Sequence, residues 1–168
     1  MKTMRLFPLE LKRLLQSRLT WLMMALAVLS PALGLVLYKP ATSTTMLSMY
    51  LANPAIAGGV AGAILFGLLT IFELDRACRS RVDILTDAVV SPLTTALTRL
   101  LALLTAAVLT VGLTILVWLP ISAGLIGAVF TGANYVLAYL LFMGLALPLG
   151  VLAAAAAYQF TRRADLSI

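Results

Sequence analysis

The chain has 168 residues, 62% of them hydrophobic and 11% charged, against about 25% charged in soluble globular domains. A soluble fold of this length cannot hide so much apolar surface, so lipid is the expected solvent. The net charge of +6 does not point to nucleic acid, because the basic residues sit in short clusters flanking apolar runs, as membrane topology signals do.

Residues 1–20 carry Lys2, Arg5, Lys12, Arg13 and Arg18. Leu6/Phe7, Leu11, Leu14/Leu15 and Leu19 recur at spacings of three to four. The pattern predicts an amphipathic helix with a basic polar face, suited to the headgroup region, and Pro8 fits its first turn. The apolar run after it spans 21–38 and no small-residue cleavage site follows, so a membrane span is expected rather than a cleaved signal peptide. Trp21 and Tyr38 stand at its ends, where interfacial aromatics belong, and Pro31 should kink it.

A second span is expected over 51–72, opening at Asn53-Pro54. Gly58, Gly62, Ala63 and Gly67, with Gly59 between them, place small residues four apart, a face that lets another helix backbone approach closely. A glycine-rich phosphate loop would need a following Lys-Ser/Thr, and none is present. The third span is expected over 100–119, ending at Pro120, and the fourth over 133–157, bent near Pro148 and Gly150. Residues 120–132 are apolar and uncharged, and suit a tight turn, an inserted segment or an extension of either neighbour. Together these make one transmembrane domain, 1–168, of the all-α membrane class, with four spans.

Eleven of the twelve basic residues fall on the side of the N-terminus, in 1–20, 73–99 and 158–168; Lys39 is the exception. By the positive-inside rule both termini and the 73–99 loop are expected to be cytoplasmic, and the expected location is a bacterial-type inner membrane. The spans contain no Asp, Glu, Lys or Arg, whereas ion-coupled transporters keep an ionisable group at membrane depth. Ser30, Thr70, Thr105, Thr110, Thr114 and Asn134 are the polar side chains available there, and backbone carbonyls are their expected partners. The chain has no histidine, so histidine acid–base catalysis, histidine metal sites and Ser-His triads are excluded. Cys78 is a lone thiol with no accompanying base, expected to pack rather than react. No catalytic residue, cofactor or metal site is expected.

The one long polar interval, 73–99, holds four of the six acidic residues. Leu74, Cys78, Val82, Leu85 and Val89 form one helical stripe. Asp75, Arg79 and Asp83 lie four apart on another face, extended by Arg76, Ser80 and Asp87. This helix should stop before Ser91, which then caps a new helix with Pro92 at its first position. That second helix leads directly into the third span through Arg99, whose side chain is placed to snorkel to the headgroups. A docking element and a helix lining the membrane surface both fit this pattern.

The order of these parts resembles the permease subunits of ABC-2-type ATP-binding-cassette transporters. Their elbow helix precedes span one. Their loop between spans two and three carries a coupling helix, often with Glu-Leu-Leu, then Ser/Thr-Pro-Leu/Val-Ser and a basic residue. Here Asp83-Ile84-Leu85, Ser91-Pro92-Leu93-Thr94 and Arg99 hold those places, without the glycine often found ahead of the acidic residue. Such permeases usually have six spans, and this chain supplies four, which fits an N-terminal portion of one or a compact relative. The resemblance implies an exporter subunit with no ATPase activity of its own. It also implies a separate cytoplasmic ATP-binding subunit and a second permease subunit, identical or not, as partners. Asp75, Arg76, Arg79, Arg81, Asp83, Asp87, Ser91 and Pro92 would contact the ATPase. The rival expectations are a non-transporting membrane assembly or scaffold protein, and an intramembrane enzyme. The missing histidines and membrane-depth carboxylates oppose the enzyme.

Overall fold

The computed structural model describes residues 3–37, 46–79, 91–127 and 130–164. Among them every regular element is a helix: α1 (Thr3–Gln16), α2 (Arg18–Leu29), α3 (Pro31–Leu37), α4 (Met46–Arg79), α5 (Pro92–Ile126) and α6 (Gly132–Ala164). Among the described residues four stretches are long and apolar enough to cross a membrane: Arg18–Leu37, Leu51–Arg76, Leu93–Ile126 and Gly132–Phe160. The last three helices have 34, 35 and 33 residues. At 1.5 Å per residue each reaches roughly 50 Å, well past a hydrocarbon core of about 30 Å. The helix boundaries therefore differ from the expected spans. α4 starts seven residues before Asn53 and carries Pro54 inside it, and α5 runs through Pro120 to end at Gly127, whose φ is 63°.

The first span breaks at Pro31. Proline has no N–H for the Ala27 carbonyl, and a bare carbonyl in lipid costs several kcal/mol. Ser30 fills the gap, with its backbone N–H (3.3 Å) and its hydroxyl (2.7 Å) both donating to Ala27 O. From α5, the Trp118 indole donates to Val28 O at 2.7 Å. The kink is thus closed partly from within and partly by a neighbouring helix.

The centre of the bundle is the α4–α6 pair, the broadest helix contact in the molecule. Tyr135, Tyr139, Met143, Leu147 and Val151 are fully buried and recur every four residues, one ridge along α6. They meet Phe66 and Leu69 of α4. Lipid tails are as apolar as these side chains, so close packing has to hold the pair, and small residues allow it. A Cβ at Gly59 would lie 2.7 Å from Phe142 O, one at Gly62 2.5 Å from Leu147 Cδ1, and one at Gly150 2.5 Å from Ala63 O. Gly58 faces Pro31 and Met143, and Gly67 makes ordinary contact with Ala154. The hydroxyls of Thr70, Thr105, Thr110 and Thr114 each donate to the carbonyl four residues earlier, at 2.7–2.8 Å. Asn134 is exposed.

Candidate functional site

The polar end of the bundle brings together charges from three helices. Glu10 and Arg13 lie on α1, Glu73 and Arg76 in the last two turns of α4, and Arg99 near the start of α5. Arg13 Nη2 contacts Glu10 Oε2 at 3.1 Å, and it donates to Glu73 Oε2 at 3.3 Å across 60 residues of sequence. Arg76 Nη1 is 3.6 Å from Glu73 Oε1, and Arg99 Nε is 3.8 Å from Glu10 Oε1. The result is an alternating chain, Arg76–Glu73–Arg13–Glu10–Arg99, that links both ends of the polar interval to α1. A small cleft runs among these side chains, walled by Leu14, Leu74, Ala102 and Leu103.

Burial decides which members carry weight. The side chain of Glu73 is 7% exposed, Arg99 12%, Glu10 20%, Arg13 41% and Arg76 64%. Pairs near water are worth about 0–1 kcal/mol. At the inner members the attraction is stronger, but desolvation offsets much of it. The chain of charges therefore serves position more than net stability: each carboxylate is held by two arginines from different positions. It contains no nucleophile–base pair. Among the described residues no three His, Cys, Asp or Glu side chains converge to hold a metal.

The sequence-derived site residues fall only in part within the described residues. Asp75 and Arg76 sit at the end of α4, Asp75 half-buried and Arg76 exposed. Arg79 is the last residue of α4, its side chain outside the described set. Arg81, Asp83 and Asp87 lie outside the described residues, as do the side chains of Cys78, Val82, Leu85 and Val89. Ser91, extended at φ −62° and ψ 140°, caps α5, with Pro92 in its first turn. Its hydroxyl pairs with that of Thr94 at 2.7 Å and accepts from Thr94 N at 3.4 Å. Ser91→Ala is expected to lower thermal stability by about 1 kcal/mol through loss of that cap, readable as a fall in the unfolding midpoint in detergent with helix content retained. An unchanged midpoint would show that Pro92 alone sets the start of the helix.

Two expectations changed in detail. Arg99 does not snorkel: it is mostly buried and turned to Glu10. The apolar stripe of α1 faces protein, with Leu14 3% exposed and Phe7, Leu11, Leu15 and Leu19 packed against the core. Sequence reasoning also missed Glu10 and Glu73 as functional candidates. A signal for Glu73 was present. It continues the buried face Phe66, Leu69/Thr70 at spacings of three to four, so a helix that buries those residues buries Glu73 too.

Comparison with protein-family models, with curated proteins and with solved structures found no match.

Proposed function

We propose that this chain is a membrane-spanning permease subunit of an ATP-binding-cassette transporter of the ABC-2 type, with both termini and the 73–99 interval in the cytoplasm. A separate ATPase dimer grips residues 75–91 together with the elbow helix α1. Closure of that dimer around ATP moves the ends of α4 and α5, and the bundle follows.

One observation carries the proposal. The polar interval between the second and third apolar stretches ends at Ser91, and the helix that Ser91 caps continues without a break into the membrane-crossing stretch Leu93–Ile126. A push on that cap is therefore a push on a rigid rod. The ion pairs from Glu10 and Arg13 to Glu73 and Arg99 add a second connection, since they make α1 move with both helices that flank the loop. The absence of acidic or basic residues within the expected spans fits transport powered from outside the membrane.

The test uses the full chain co-expressed with a Walker-type ATPase from the same genome, chosen for its encoding beside this chain where such a reading frame exists. Asp83→Arg combined with Arg79→Glu is expected to abolish co-purification of the ATPase and the transport phenotype, leaving the unfolding midpoint of the permease unchanged. Undiminished co-purification and transport in the double variant would overturn the docking role.

A further inference from the structure

The ion-pair chain commits both Glu10 and Glu73, to Arg13, Arg76 and Arg99. Two cations of the α1–α2 segment are left over among the described side chains. Lys12 on α1 and Arg18 at the start of α2 are exposed, and neither has a carboxylate partner among the described residues. They bracket the corner at Ser17, where the backbone is extended at φ −74° and ψ 126°.

The same surface is also apolar. Leu9 is 64% exposed, and Trp21 and Leu22 are each 55% exposed. The Trp21 indole N–H donates to Leu15 O at 2.6 Å, filling a carbonyl that the end of α1 leaves open. This bond holds the ring at the corner, at the start of the membrane-crossing stretch Arg18–Leu37. An acidic soluble protein would match the two cations but not the exposed Leu9, Trp21 and Leu22 beside an apolar span. A lipid surface matches both, because its headgroup layer takes cations and indoles and its upper acyl chains take leucines.

We propose that the outer face of the elbow binds the headgroups of anionic phospholipids, with Lys12 and Arg18 supplying the charge and Trp21 setting the depth. The inference needs α2 to lie in a bilayer and does not depend on the transport reading. Each cation near an anionic surface enriches acidic lipid roughly fivefold over zwitterionic lipid.

The chain has two tryptophans, and Trp118 is 7% exposed with its indole tied to Val28, so Trp21 is the accessible reporter. The whole chain, carrying Trp118→Phe, is reconstituted in phosphatidylcholine vesicles. These contain a minor fraction of either brominated phosphatidylglycerol or brominated phosphatidylcholine, and quenching of Trp21 fluorescence is read. If Trp118→Phe does not fold, the difference between the native chain and Trp21→Phe supplies the same quantity. The brominated anionic lipid is expected to quench several-fold more strongly at equal mole fraction. That preference should weaken with added salt and disappear in Lys12→Gln/Arg18→Gln, whose unfolding midpoint should match the parent because both side chains are exposed. Equal quenching by the two lipids, or a preference that survives the double substitution, would overturn the proposal.

Discussion

Glu73→Lys is expected to release α1 from the bundle. The side chain at 73 is 7% exposed and sits between Arg13 at 3.3 Å and Arg76 at 3.6 Å. An ammonium there would face two guanidiniums with little water to screen them, and a stranded buried charge of this kind costs about 3–5 kcal/mol. Glu73→Gln is the milder variant, since it keeps the volume and loses only the charge. Arg13 and Arg76, being 41% and 64% exposed, can turn toward water, so its cost should fall nearer 1–3 kcal/mol. Two measurements separate a local from a global effect. The unfolding midpoint in detergent reports the total loss, and limited proteolysis within α1 reports whether that helix has come away. Glu73→Lys should show rapid cleavage there and Glu73→Gln little. Resistance of Glu73→Lys to cleavage would mean that the packing of Leu14 and its neighbours holds α1 without the ion pairs.

The second large effect is expected at Gly150. A Cβ there would sit 2.5 Å from Ala63 O and 2.9 Å from Ala63 Cα, both backbone atoms. Backbone cannot rotate out of the way, so α4 and α6 must separate along their whole contact. Gly150→Ala should therefore destabilise by about 1–3 kcal/mol, and Gly150→Leu should abolish the compact bundle, seen as loss of a cooperative thermal transition. Gly112 of α5 supplies the contrast, because nothing lies within 4 Å of its Cβ position. There an added methyl meets only open space and removes the helix penalty of glycine, so Gly112→Ala should be neutral or stabilising by about 0.5–1 kcal/mol. Equal effects at both positions would show that close approach of α4 to α6 does not hold the bundle together.

Several features were legible in the chain because they are local. Ser91-Pro92 reads as a helix start from the chemistry of two residues, and the structure places an Ser91–Thr94 hydroxyl pair there. Thr70, Thr105, Thr110 and Thr114 donate to carbonyls of their own helix, a bond that needs no other element. Proline at 31 breaks the first span because it removes its own donor. That Trp118 then satisfies the Val28 carbonyl, 90 residues away, is not a local property and no pattern announces it.

Orientation of faces is where local reasoning stopped. The stripe of α1 is apolar by any count, yet periodicity does not say whether lipid or protein covers it, since both are equally apolar. Leu14, packed inside, and Leu9, left outside, differ only in which side of the helix meets α5. The same holds for charge. Arg99 at the head of a span is equally suited to a headgroup and to a carboxylate, and Glu10, arriving on α1, decides between them.

By itself, then, the sequence determined a helical chain with four stretches able to cross a membrane and one polar interval between the second and third. The composition and spacing that dictate this depend only on a residue and its helical neighbours. Tertiary structure alone decided that α1 turns its apolar stripe inward, that Gly150 meets the Ala63 backbone, and that five charges from three helices form one chain around Glu73. Those outcomes depend on which helices lie side by side, and in an apolar solvent shape complementarity and ion pairing, rather than hydrophobicity, make that choice.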